Sequence, residues 1–403
     1  MTKRKVLIVG AGIAGLSLAN AFEQFCKTSV DYKVIERQTE FKPQGAGIAL
    51  PANALCALHE INLDQKVYQN AFHVQKIIFT DDKLQELSSR PTDDLHPKKF
   101  GFYGITRAKL HDILLSPQIQ NHIHMGLTVS ELEEDKGKVH VTFNDGSQES
   151  FDLVVGADGI RSSVRHLSHH DIDEPPLSLG ITNWRLLLKR SPTLAQPTYV
   201  LGTGSIFLLF PVSEKEMYCY AGVLTPPKGI SEDERKSIHF MKSHFEHIGK
   251  EVKFAIDQII DPQQLIPDQL ETVREVKTHS KDMNNIIFIG DCAHACAPTY
   301  QQGGAMSIED AVIVAKLLDA FSALPNEQII KFYDDFRFKP IQEIQTLSNF
   351  VLQRSVQAID PQSIEARNQK VRQDGPFNVT FWREFLKTDV FDELDNFIRT
   401  RLN

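Results

Sequence analysis

The stretch Val6-Leu-Ile-Val-Gly-Ala-Gly-Ile-Ala-Gly15 decides the fold of this chain. Residues 6–9 are all apolar, the pattern of a strand buried on both faces of a parallel sheet. Gly10, Gly12 and Gly15 follow at G-x-G-x-x-G spacing. In that motif the first glycine permits a tight turn, the second lets a pyrophosphate approach the backbone, and the third lets helix and strand pack closely. The spacing predicts a helix over residues 13–25, whose first amides, those of Ile13 and Ala14 included, face the phosphates. A second strand over 32–35 ends in Glu36-Arg37. Glu36 lies 21 residues beyond Gly15, where such folds place an acid to accept from a ribose diol. Strand, glycine turn, helix and acid together predict an adenine dinucleotide site.

Composition narrows the partners. The chain has 403 residues, enough for two or three domains or one large mixed domain. Its 44 Lys+Arg against 52 Asp+Glu give a net charge of −8, with no basic footprint for nucleic acid or an anionic membrane. No apolar run reaches about 18 residues, so no transmembrane segment is expected. Lys3-Arg4-Lys5 before an apolar block imitates a secretory leader, but three glycines interrupt the block and no small-residue cleavage site precedes Glu23. Five cysteines, an odd number in a long chain, argue against a disulfide framework and for a reducing, cytoplasmic setting.

Two further junctions repeat the logic of the first. A strand over 150–155 runs into Gly156-Ala-Asp158-Gly159-Ile-Arg161-Ser162 and a short helix. A strand over 286–289 runs into Gly290-Asp291-Cys-Ala-His294 and then Pro298-Thr-Tyr-Gln-Gln302-Gly303-Gly304, just before a helix that begins at Met306. Ligands collect at such carboxyl ends of strands in open α/β sheets. Between the first two junctions, Gly45-Ala-Gly47 reads either as an ordinary loop or as a loop skirting a flat ring. Thr106 is a natural N-cap. Arg107 beside it opposes the helix dipole, which suggests an anionic partner. Residues from about 170 to 277 alternate as strands between turns, with helices over 232–247 and about 250–260, and read as an inserted antiparallel sheet. Helices over 327–339 and 341–356 are divided at Pro340, and the tail from Asp360 forms one or two more. Cys292, His294 and Cys296 lack a zinc-like spacing, so no metal is expected.

With these junctions in order, the chain resembles the FAD-dependent aromatic monooxygenases, the single-component flavoprotein hydroxylases of the p-hydroxybenzoate, salicylate and phenazine type. The resemblance rests on Gly10 to Gly15 with Glu36-Arg37, on Gly156 to Arg165, and on Gly290-Asp291 with His294, Pro298 and Gln302-Gly303-Gly304. It implies an α/β fold: a Rossmann-type FAD-binding domain (1–73, 100–170 and 278–325), an inserted antiparallel β-sheet substrate domain (74–99 and 171–277) and C-terminal helices (326–403). It also implies noncovalent FAD, with NAD(P)H as a transient co-substrate. One oxygen atom of dioxygen would reach a small, aromatic substrate through a flavin hydroperoxide, by hydroxylation or epoxidation. The alternatives are a dehydrogenase or saturase of the same fold, or a silent FAD-binding protein. Monomer and homodimer both remain open.

The resemblance also implies residue roles. Glu36 binds the adenosine ribose, Arg107 lies near the FAD sugar or pyrophosphate, Asp158 serves FAD and the NAD(P)H path, and Asp291 bonds the ribityl chain. Gly47, Pro298, Gln302, Gly303 and Gly304 border the flavin. One departure concerns the third loop, usually Pro-x-x-Gly-Gln-Gly, which here has Gln301 in place of its first glycine. The chain has a single complete G-x-G-x-x-G unit, so NAD(P)H would use a surface cleft near Asp158, Arg161 and Arg165, unless those arginines only cap a short helix. Trp184, Phe207 and Phe210 are expected in the substrate pocket, with ordinary sheet packing as the competing reading for Trp184-Arg185. No acid or base is named.

Overall fold

The computed structural model describes residues 3–41, 46–169 and 175–402. Arg4–Val9 is the central strand of a five-stranded sheet, in the order Ile286–Phe288, Leu153–Gly156, Arg4–Val9, Val30–Glu36, Ile123–Met125. All four pairings are parallel. Parallel sheets are covered on both faces. Here helices Ile13–Phe25 and Gln302–Ala320 cover one face, packing on Val6 and Ile8. A three-stranded antiparallel sheet, Val129–Asp135, Lys138–Phe143 and Gln148–Phe151, covers the other and packs on Leu7 and Val9. This double cover is why the first strand reads as an unbroken apolar run.

The second large sheet has seven strands, in the order Ile266–Thr272, Leu177–Lys189, Glu216–Leu224, Ser205–Pro211, Thr198–Leu201, Lys76–Asp81, Glu86–Pro91. Its neighbours are antiparallel except Thr198–Leu201 with Lys76–Asp81, which run parallel. A small sheet of Gly47–Leu50, Phe102–Thr106 and Phe72–Val74 joins the two bodies. Gly47 therefore begins a strand and is not a loop residue; Gly45 lies outside the described residues, as do residues 170 and 171 at the expected domain boundary. Among the described residues no helix is long and apolar enough to cross a membrane.

Four helical expectations change. The helix over 232–247 breaks into Glu232–Lys236 and Ile238–Ser243, because the Ser237 side chain accepts from the Phe240 amide and starts a new helix. Pro340 does not divide a helix: Asn326–Val356 is continuous. Proline removes one backbone bond, while Ile329, Ile330 and Tyr333 before it and Ile341 and Ile344 after it are all buried, which holds the halves in line. The helix expected from Met306 starts at Gln302, so Gln302, Gly303 and Gly304 form its first turn. The tail has three helices, Pro361–Asp374, Phe377–Phe385 and Val390–Leu402.

Candidate active site

The first glycine loop is closed where it meets protein and open where it does not. Gly10 has φ +106, and a side chain there would meet the Ala157 carbonyl at 2.5 Å. A side chain at Gly15 would lie 1.9 Å from the Gly10 carbonyl, so helix and turn touch. At Gly12 an added carbon meets nothing within 4 Å. No side chain caps the helix that follows, so the amides of Ile13, Ala14 and Gly15 lack intrahelical acceptors. Free amides, a positive helix end and open space fit a pyrophosphate. Glu36 is aligned with this loop: its two oxygens accept from the Ala11 amide at 3.0 Å and the Gln38 amide at 2.9 Å. A carboxylate keeps further lone pairs for two ribose hydroxyls. Arg37 is exposed.

The third junction closes on the first. Gly290 has φ +61, and a side chain there would strike Ser307 and Ala14. Asp291 opens the short helix Asp291–His294, is exposed, and lies 3.9 Å from where a Gly303 side chain would start. Arg107 is half-buried at the start of helix Arg107–Leu114, capped by Thr106. Burial lowers its basicity and the Asp291 carboxylate draws it back up. Its guanidinium has no hydrogen-bonded acceptor among the described residues. An unpaired cation in a cleft of free amides suits an anionic ligand. Pro298 is exposed at the start of the turn Pro298–Tyr300. Gln302 is buried and pairs its amide with Asn53, while Gly303 and Gly304 are half-buried beside it in the first helical turn. These residues fit the cofactor that the glycine motif implies.

A fully buried charge cluster supports both cofactor loops. Arg337 binds Glu309 at 2.6 Å and Asp310 at 2.8 Å. Asp310 also accepts from the Gly290 amide at 3.0 Å and pairs with His294 at 2.6 Å. Glu309 accepts from Asn53, which donates to Gln302 as well. Burial alone would raise the Asp310 carboxyl, but His294 and Arg337 hold it down to about 2. The third junction's motif includes His294, but the sequence assigns a role to neither His294 nor Arg337. Their long-range pairing leaves no local signal.

Other site residues take different places from those expected. Asp158 is occupied by its own helix, accepting from the Ser163 amide at 2.7 Å, the Val164 amide at 3.2 Å and the Ser162 and Ser163 hydroxyls. Arg165 does not line a surface cleft. It is 4% exposed and donates to the carbonyls of Cys292 at 2.8 Å and Ile160 at 3.0 Å, tying the second junction to the third. Arg161 is exposed and pairs with Glu271 at 2.6 Å. Trp184 and Phe207 face away from the cofactor loops. They pack with Phe245 under the helices of residues 232–257, and the Trp184 ring donates to the Arg235 carbonyl. Phe210 is on the cofactor side but is buried edge-on against Phe102 in the wall.

The inner face of the sheet instead presents the alternate positions. Arg185 pairs in register with Tyr220, Tyr220 with Leu208, and Leu208 with Tyr199. Arg185 holds Asp268 at 2.7 Å, and both Arg185 and Tyr218 act electrostatically on Arg107. The helix Phe377–Phe385 closes this space: Trp382 donates to the Tyr300 carbonyl at 2.8 Å, and Phe381 stacks on Tyr300 at 4.0 Å. Period-two alternation was the available signal, since it separates Arg185 from Trp184. A cavity of ≈1310 Å³ lies between the long helix and the C-terminal helices, but Gly12, Glu36, Arg107 and Asp291 do not line it. Cys56, His96 and Asp389 are buried within 4.8 Å of one another. The Lys98 ammonium already supplies the positive charge there, 2.9 Å from Asp389.

Comparison with known proteins gives three findings. Residues 3–345 match the family model described as FAD binding domain. The 2-heptyl-3-hydroxy-4(1H)-quinolone synthase of Pseudomonas aeruginosa is 31% identical over 378 residues, 91% of this chain and 93% of that protein. The aurachin C monooxygenase/isomerase of Stigmatella aurantiaca is 27% identical over 79% of this chain and 82% of that protein. Among solved structures, Klebsiella pneumoniae HpxO complexed with FAD and uric acid has a TM-score of 0.84 at 23% identity, covering 95% of this chain and 96% of that one.

Proposed function

The chain belongs to the FAD-binding-domain family of FAD-dependent aromatic monooxygenases, and we infer that it uses NAD(P)H and dioxygen to place one oxygen atom on a small, electron-rich aromatic substrate. The observation that carries this is the convergence of the open Gly12 cradle, Glu36, Arg107 and the Gln302–Gly304 amides facing a separate sheet. FAD, when bound, supplies two-electron reduction and the activation of dioxygen.

The protein's part is binding, orientation and exclusion of water. The amides of Ile13, Ala14 and Gly15, with Arg107, neutralise the pyrophosphate. Glu36 accepts from the adenosine ribose and Asp291 from the ribityl chain. The backbone amides at Gln302, Gly303 and Gly304 polarise the ring edge at a helix N-terminus. The substrate lies on the inner face of the sheet made by residues 76–91 and 177–272, with Arg185, Tyr218 and Tyr220 about it. Tyr300, Phe381 and Trp382 seal that space from solvent, as a reactive oxygenating species requires. The names of the relatives support an aromatic or heteroaromatic ring as the substrate core. NAD(P)H docks transiently on the surface near Arg161, with Arg165 fixing the loop from beneath.

Purified protein should be yellow, and a panel of aromatic compounds should contain one that accelerates NAD(P)H oxidation and gains one oxygen atom by mass spectrometry. Loss of hydrogen without gain of oxygen would identify a dehydrogenase instead. A colourless protein that cannot be reconstituted with FAD would end the proposal.

A further inference from the structure

Gln301 occupies a position that favours glycine. Its φ is 53°, in the left-handed region, at the join between the turn Pro298–Tyr300 and the helix Gln302–Ala320. A side chain held in that conformation is strained, and such strain concentrates at functional sites. The amide nitrogen donates to the Tyr199 hydroxyl at 2.8 Å and to the Pro298 and Thr299 carbonyls at 3.1 Å each. Carbonyl oxygens only accept, so the NH2 group must face them and the amide cannot be flipped. Its oxygen, Oε1, is left buried with no hydrogen-bond partner among the described residues. A buried acceptor without a donor is costly, and a bound molecule or water has to satisfy it.

The surroundings specify the chemistry. Tyr199 is on the inner sheet face, in the same register row as Leu208, Tyr220 and Arg185. The Tyr220 hydroxyl and the Arg185 Nε are also buried and without hydrogen-bond partners among the described residues. One face therefore holds an unpaired acceptor at the Tyr199 end and unpaired donors toward the Arg185 end. Tyr199 and Tyr220 stand two strand spacings apart, roughly 9.6 Å, which is the scale of a planar ring with a hydrogen bond at each end.

We propose that Gln301 is a specificity-determining residue whose Oε1 accepts a hydrogen bond from a ring N–H of a planar heteroaromatic substrate, with the Tyr220 hydroxyl meeting an oxygen on the far side of that ring. This rests on the monooxygenase reading and names the substrate class within it.

The test uses the holoenzyme, titrated with 4(1H)-quinolone and its N-methyl derivative and followed by flavin absorbance. The N–H compound should bind roughly ten- to a hundredfold more tightly, since a site built around a donor rejects the analogue that lacks it. Gln301→Gly relieves the left-handed strain, should retain FAD, and should reduce the preference to about twofold. Tyr199→Phe releases the amide and should reduce it as well. Equal binding of the pair by the parent, or an undiminished preference in both variants, overturns the assignment. If neither quinolone binds while a phenol perturbs the flavin and accelerates NAD(P)H oxidation, the N–H recognition falls and the monooxygenase reading stands. If no aromatic compound has an effect, the monooxygenase reading falls first.

Discussion

The two faces of the seven-stranded sheet carry side chains of similar bulk and differ in how completely the chain finishes them. On the outer face Trp184 and Phe207 are fully buried against Phe245, and the indole N–H has its acceptor in Arg235. On the inner face the Tyr220 hydroxyl, the Arg185 Nε and the Gln301 Oε1 have no hydrogen-bond partner among the described residues. The cofactor loops show the same contrast: Gly10 and Gly15 are walled by backbone, Gly12 by nothing. Where protein closes every gap, a substitution should act on stability. Where the chain leaves atoms open, it should act on ligand binding.

The largest expected effect tests the closed side. Trp184→Ala should destabilise the fold by about 3–5 kcal/mol, read by urea unfolding. FAD binding per folded molecule should be unchanged. A small stability loss with weakened substrate binding would reverse the assignment of the two faces.

The next effect concerns the closed cluster beneath the loops. The Asp310 carboxyl is held at about 2, below its usual 3.8, by His294 and Arg337 against the opposing effect of burial. A depressed carboxyl stabilises the folded state above its unfolded value and loses that contribution as pH falls through the folded one. The parent should therefore lose on the order of 2 kcal/mol between about pH 4 and pH 2 that Asp310→Asn does not. Parallel acid profiles would show that the cluster is not charged as described.

A smaller effect sharpens the open side. Gly12→Ala adds a carbon that meets no protein atom within 4 Å. Unfolding of the apoprotein should hardly change, while FAD affinity falls at least about tenfold, ~1.4 kcal/mol, by intrusion on the pyrophosphate. Retained affinity would place the cofactor elsewhere. Smallest of all, Tyr220→Phe should shift stability by no more than about 0.5 kcal/mol, because the hydroxyl removed has no partner to lose. Its effect should instead appear in the KM for the aromatic substrate.

Much of this was legible along the chain. The helix Ile13–Phe25 has the bounds its glycine spacing predicts, and Glu36 reaches the loop from the end of the second strand. The antiparallel character of the inserted sheet followed from alternation. Arg165 was not legible: an arginine three residues after a capping serine reads as solvated, and its buried partner, the Cys292 carbonyl, comes from the distant third junction. Pro340 was misread because a propensity penalty of one bond is outweighed by apolar burial on both sides of it.

By itself, the sequence determined what short-range rules govern: a period-two or 3.6 pattern, a glycine that must turn, an acid at a set distance from it. Those depend on neighbouring residues and on backbone sterics. Period-two alternation along Leu177–Lys189 also sets Trp184 and Arg185 on opposite faces. Which of them faces the cofactor was decided only when the helices of residues 232–257 buried one face and Phe377–Phe385 closed over the other. The charge cluster of His294, Glu309, Asp310 and Arg337 is of the same kind, since ions buried together stabilise one another only after distant segments have excluded the water between them.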